Sequence, residues 1–170
     1  MRIRQRGGSA LVRVIGTVVV LLGMGCLMVD FGYVTAVKSR VQSTADAASM
    51  AGALRLRSQY DYPIVSDINS MAIKYAEYNQ PLTPGILAAA DIEIGVWDAE
   101  ANTFFVGGFD TNAVCVTVRR DNRQSSAVSL FIANVFGKQN CDVSASAVCT
   151  FEVTQDAEGN FEMSRPYIVQ

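Results

Sequence analysis

The sequence predicts an α+β fold: a long N-terminal helix, one half transmembrane and one half exposed, followed by a small antiparallel or mixed sheet with short helices. Three observations predict it. An apolar run, VIGTVVVLLGMGCLMV, continues without a proline into an alanine-rich stretch that ends near Arg57. Beyond Asp91, short segments alternate apolar and polar residues between turn-forming residues. Half of the residues are hydrophobic, which suits a packed core plus one apolar span and argues against disorder.

The helix comes first. No charge occurs from Val14 to Val29, and these sixteen residues span roughly 24 Å, slightly short of a hydrocarbon core of about 30 Å. Ala10, Leu11 and Val12 extend the span, because the Arg13 side chain snorkels to the interface. Phe31, Tyr33 and Val34 extend it at the other end, with Asp30 near the outer headgroups. Arg13 and Asp30 are therefore its membrane-edge charges. Arg2, Arg4 and Arg6 crowd the start, and a basic flank stays in the cytoplasm and sends the C-terminus outward. The expectation is a single-pass membrane protein with a cytoplasmic N-terminus and a domain at the outer face of the membrane. No small-x-small exit follows the apolar run, and Gly23 stands where a lipoprotein signal carries an aliphatic residue before Cys26. Both features favour an uncleaved anchor.

Beyond the span the periodicity sharpens. Val34, Val37, Val41, Ala45 and Ala48 recur at three- and four-residue steps and form one apolar stripe. It ends in Ala51, Gly52 and Ala53, small residues that let another backbone approach closely. The stripe Val41, Ala45, Ala48, Ala51 and Gly52 packs either on the chain's own domain or against a partner or neighbouring copies. The expected division is residues 1–8 as a cytoplasmic basic leader, 9–34 as a transmembrane helix and 35–57 as an exposed helix extension. Residues 58–153 then form a small α+β domain, and 154–170 a C-terminal tail.

Pro63 breaks the helix. Ser66 or Asp67 can cap a second helix, with Ile68, Met71, Ala72, Tyr75 and Tyr78 on one face. Asn79-Gln80-Pro81 stops it. Asp91 to Trp97 alternates and, with Thr103 to Val106, reads as a hairpin across residues 98–102. Ala113 to Arg120 is another strand. The uncharged segment Ala127 to Phe136 reads as a short helix covering a sheet face, ended by Gly137. Cys141 to Val153 alternates as one long final strand, and the tail reads as a turn or loose end.

The function classes narrow by absence. There is no His, which removes Ser-His-Asp and Cys-His catalysis and the commonest transition-metal ligand. No catalytic, cofactor-binding or metal-ligating residue is assigned. A net charge of −2 gives no global signal for nucleic acid. Of four Cys, none forms a CxxC pair. Cys141 and Cys149 lie too far apart on one strand to bond each other, and a bond from Cys115 to either needs their faces to meet. Asp142, Ser144 and Ser146 match a DxSxS cation motif, but an alternating strand places them on one solvated side. Asp91, Glu93, Asp98 and Glu100 read as a solvated face, and Gly23-x-Gly25 as a helix-packing notch.

One resemblance joins these pieces. Gly8-Ser9, Val29-Asp30-Phe31-Gly32, Val41-Gln42-Ser43-Thr44-Ala45-Asp46-Ala47-Ala48 and Ala51-Gly52-Ala53 resemble the N-terminal segment of TadE/TadG-like proteins of tight-adherence (Flp-type) pilus assembly. Gly95-Val96-Trp97-Asp98, Asn112 to Arg120 and Asp142 to Ala147 resemble the region that follows in TadG-like proteins. Prepilin-like members carry Glu at the fifth residue after a Gly cleavage point, where this chain has Arg13; this too favours an anchor that stays uncut. The resemblance implies a non-enzymatic, membrane-anchored component of pilus assembly or secretion, single-pass in the bacterial inner membrane with its C-terminal domain in the periplasm. Its implied partners are the inner membrane, other pilus assembly or secretion proteins and further copies of itself, with no nucleic acid and no cofactor. The competing expectation is a membrane-anchored metal- or ligand-binding module using Asp142, Ser144 and Ser146.

Overall fold

The computed structural model describes residues 7–83, 85–121, 126–130, 137, 139–156 and 161–169. Helix α1, Gly7–Ser58, is continuous over 52 residues and about 78 Å long. Along its first half, large apolar side chains from Leu11 to Phe31 face outward, between 48 % and 77 % exposed. Side chains exposed on every side belong in an apolar solvent, and this is the chain's one described segment long and apolar enough to cross a membrane.

The second half of α1 is the spine of the folded domain. Val37, Val41, Ala45, Ala48, Ala51, Ala53 and Leu56 are all buried. Residues 35–57 thus form the domain's central helix, with one stripe buried and side chains such as Lys38 and Arg40 exposed. The small side chains are what bring a sheet and a second helix close enough to cover them. Fully burying Leu56 alone contributes about 1.5–3 kcal/mol.

Helix α2, Val65–Asn79, returns antiparallel to α1: Asp67 meets Arg55 at one end and Gln80 bonds Thr44 at the other. Its buried face is Ile68, Ala72 and Ala76, whereas Met71, Tyr75 and Tyr78 are exposed. Two adjacent apolar stripes compete on this helix, and the one with alanines faces α1 because it permits the closer approach. Neither Ser66 nor Asp67 caps it; the N-cap is Ile64, without a side-chain bond.

A five-stranded sheet lies beneath α1, in the order β2 (Thr103–Val106), β1 (Ile92–Asp98), β3 (Ala113–Arg120), β6 (Val143–Thr150) and β9 (Tyr167–Val169), with antiparallel pairing throughout. Strands β1 (Ile92–Asp98) and β2 (Thr103–Val106) form the expected hairpin. Asp98 Oδ1 accepts the backbone N–H groups of Glu100 and Ala101, and Asn102 takes the left-handed φ of 50° that closes the turn. Gly95 is required there, because a Cβ would land on the Phe105 carbonyl. Strand β3 (Ala113–Arg120) supplies Val114, Val116 and Val118 to the core, and β6 (Val143–Thr150) supplies Ala145, Ala147 and Cys149 beside them.

Three expectations about the C-terminal third differ from the structure. Val128–Ser129 is a short strand, β4, paired with β5 (Asn140–Cys141), not the start of a helix; residues 131–136 lie outside the described residues. The long final strand is broken. Phe151 turns inward after Cys149 and Thr150, and its N–H donates to the Asn112 carbonyl over the end of the sheet. The tail is not loose: β7 (Val153–Gln155) pairs with β8 (Phe161–Met163), and β9 (Tyr167–Val169) adds an edge to β6. Tyr60 at the end of α1 meets both Phe151 and Phe161 edge-on, at 6.1 and 5.8 Å, and so joins the tail to the core.

Candidate functional site

The small-residue stripe is occupied inside the chain. Val41, Ala45 and Ala48 have no exposed surface, and α1 packs there on β3, β6 and α2. Gly52 shows how tight the fit is: a Cβ would stand 3.1 Å from Val114 Cγ1 and 3.7 Å from both Ala72 and Ile68. This face takes the domain itself rather than a partner. Only its margin opens outward. Ala47 and Ala51 floor a groove of about 380 Å³ between α1 and α2, walled by Met50, Leu54, Met71 and Tyr75. Ala51 of the floor belongs to the predicted stripe; Met71 and Tyr75 of the walls share with Ile68 and Ala72 one expected face of α2, of which only Ile68 and Ala72 are buried.

At one end of the groove Arg55 Nη2 donates to Asp67 Oδ2 at 2.6 Å, and Gln59 Nε2 donates to the same oxygen at 3.2 Å. These two hydrogen bonds, the arginine's first, hold the Asp67 carboxyl below its usual range. The pair ties the end of α1 to the start of α2.

Arg13 and Asp30, expected as membrane-edge charges, sit apart from this domain surface. Arg13 is exposed, and its carbonyl accepts the Thr17 hydroxyl at 2.9 Å. Asp30 is only 5 % exposed, unlike the large apolar side chains around it. Seventeen helical steps separate the two, roughly 25 Å, close to the hydrocarbon thickness of a bilayer.

The cysteines are four free thiols. Register explains why Cys115 and Cys149 do not meet: Cys115 stands opposite Val148, and Cys149 opposite Val114, so their side chains point to opposite faces. Burial pushes the Cys149 thiol up to about 12, and its Sγ lies 3.6 Å from Met50 Sδ in the core. Burial, then the Glu93 charge, also raises Cys115. Thiols held neutral are poor nucleophiles at physiological pH.

The residues of the DxSxS motif do not converge. Asp142, Ser144 and Ser146 are exposed, and the Ser146 hydroxyl shares a 2.9 Å hydrogen bond with Thr117 on β3. No group of three or more metal-ligating side chains gathers among the described residues. The acidic residues near the hairpin have separate local tasks: Asp91 accepts from Arg119 at 3.1 Å, and Asp98 builds the turn.

Residues 8–55 match the family model described as "Putative Flp pilus-assembly TadE/G-like". The match covers the apolar half of α1 and nearly all of the half that packs in the domain. No curated protein and no solved structure matches the chain.

Proposed function

We propose that this chain is a non-enzymatic, membrane-anchored component of Flp-type pilus assembly or secretion, working by placement. The observation that carries the reading is the match of residues 8–55 to the pilus-assembly family, over a helix that is apolar on all sides and then continues as the core of a domain. A span and a domain sharing one unbroken helix hold a fixed distance and attitude, since about 78 Å of helix has no joint. The basic start supports a cytoplasmic N-terminus and a periplasmic domain. There the domain meets other pilus assembly or secretion proteins.

The test is genetic and topological. In a bacterium that builds Flp-type pili with this chain, deleting it abolishes piliation. The full chain restores pili, and so does a chimera with an unrelated transmembrane span in place of residues 9–29. A C-terminal phosphatase reporter is active, which requires an extracytoplasmic domain. Normal piliation in the deletion strain overturns the assignment to pilus assembly. An inactive reporter on a protein that remains in the membrane overturns the orientation.

A further inference from the structure

The five-stranded sheet has two edges, and they are finished differently. At one edge β9 follows Arg165-Pro166, a cation and a residue without an N–H, each of which discourages further pairing. At the other, Thr103-Phe104-Phe105-Val106 of β2 runs into Gly107-Gly108-Phe109 with neither a charge nor a proline. The Gly107 N–H donates to the Ile94 carbonyl at 2.8 Å. Bonded and unbonded positions alternate along an antiparallel pair, so Thr103 and Phe105 turn their backbone groups toward β1. Phe104 and Val106 turn theirs away from the sheet, and no hydrogen bond reaches those groups among the described residues. Phe105 and Val106 are more than half exposed, and Phe109 is fully exposed. The charge around this edge has one sign. Residues 91–118 carry Asp91, Glu93, Asp98, Glu100 and Asp110 and no Lys or Arg. Glu100 in the hairpin turn and Asp110 are exposed, and Asp110 lines a cavity with Val96, the residue opposite Phe105.

We propose that β2 takes an extended segment of another protein as a further strand of the sheet. Phe104 and Val106 donate their N–H groups to its carbonyls and accept its N–H groups in return. Its side chains are apolar or β-branched beside Phe105 and Val106, and flanking Lys or Arg residues meet Glu100 and Asp110. A second copy of the chain in the same membrane does not fit. Helix α1 runs in the direction of β6, since Gln42 bonds the Ser146 carbonyl at 3.3 Å and Met50 lies 3.6 Å from Cys149. Antiparallel pairing of two β2 edges turns one copy by half a revolution about the sheet normal, so its α1 points the opposite way. Such a copy also brings its own carboxylates against Glu100 and Asp110. Gly95 of β1 stands level with Ala113, and Ala113 with Thr150 at the end of β6, so β2 lies at the end of the sheet farthest from the apolar half of α1. A partner standing away from the membrane reaches it there. The seat itself does not depend on a role in pilus assembly; the exclusion of a second copy rests in part on the anchoring of α1.

The experiment uses the full chain in detergent micelles and a fluorescent heptapeptide of alternating valine and threonine with a lysine at each end. Anisotropy reads binding, against micelles without protein. The wild type binds the peptide; a fully N-methylated form, which keeps the side chains but has no N–H to donate, does not bind. Val106→Pro removes an outward N–H, spares the bonds to β1 and weakens binding about ten-fold. E100Q/D110N leaves the backbone edge unchanged and weakens binding about five-fold at low salt, a difference that added salt removes. Near-UV circular dichroism checks the fold of each variant. A wild type that binds neither peptide, binding of the N-methylated form, or equal binding by wild type and folded Val106→Pro overturns the edge as the seat. Equal binding by E100Q/D110N at low salt overturns the basic flanks of the segment. Wild-type dimers in native mass spectrometry that Val106→Pro separates assign the edge to a second copy instead. All of this is read on the purified chain, so a failure here leaves the piliation result untouched, and normal piliation in the deletion strain leaves the seat standing.

Discussion

The two halves of α1 are built from one uninterrupted helix and obey opposite rules. Between Leu11 and Phe31 bulky Leu, Val and Met side chains point in every direction and find no protein around them. Between Val37 and Leu56 the side chains shrink to Ala and Gly, and one stripe disappears completely into protein. Glycine shows the difference most directly. A Cβ on Gly16, Gly23, Gly25 or Gly32 would meet nothing within 4 Å, while one on Gly52 would press on Val114. Residue size alone does not tell which half a helix belongs to; what surrounds the residue does. Apolar bulk is placed where no protein is the neighbour, and smallness where a sheet must come close.

Matched substitutions along the helix break or sharpen this contrast, and the largest effect is expected at its buried end. Leu56→Ala removes a fully buried side chain and costs about 2–5 kcal/mol of domain stability. Leu22→Ala, at a position 63 % exposed, leaves domain stability unchanged and weakens only membrane insertion. Denaturant unfolding of the two full-length variants in detergent, followed by circular dichroism, measures both. Equal losses would mean that the halves are not energetically separate.

Overpacking gives the next contrast. Gly52→Leu forces a branched side chain against Val114, Ile68 and Ala72 and costs about 1–3 kcal/mol. Gly16→Leu, where the surroundings are open, leaves the thermal midpoint of the domain unchanged. If Gly52→Leu unfolds no earlier than the wild type, α1 does not approach the sheet as closely as the structure places it.

Much of this was legible in the sequence, and the misses share a cause. The helix, the β1–β2 hairpin and β3 each announce themselves by local periodicity and turn residues, within a window of a few positions. The stripe from Val41 to Gly52 was legible as a packing face, but its occupant was not, because β3 and β6 lie more than sixty residues downstream. On α2, two apolar stripes satisfy the same helical spacing, and only the presence of α1 decides between Ala76 and Tyr78. Strand β6 stops at Thr150 although the apolar–polar alternation runs on through Phe151, because the chain turns there to cover the end of the sheet, a tertiary demand with no local sign.

The smallest expected effect lies where the buried half of α1 ends. Arg55 and Asp67 are partly exposed, so their ion pair is screened and fine-tunes the docking of α2 rather than securing it. The pH dependence still carries its signature. Asp67 is held below its ordinary value of 3.8 by the Arg55 and Gln59 hydrogen bonds. A carboxyl depressed in the folded state contributes stability that is fully present above 3.8 and lost as pH falls through the lower, folded value. Asp67→Asn therefore lowers stability slightly at neutral pH and flattens the acid limb of the stability profile below 3.8. Added salt shrinks the neutral-pH difference. No matching substitution exists in the apolar half of α1, since from Val14 to Val29 it has no charge to titrate. An acid limb equally steep in Asp67→Asn and the wild type would move the acid sensitivity to other carboxylates and leave this end of α1 joined to α2 by packing alone.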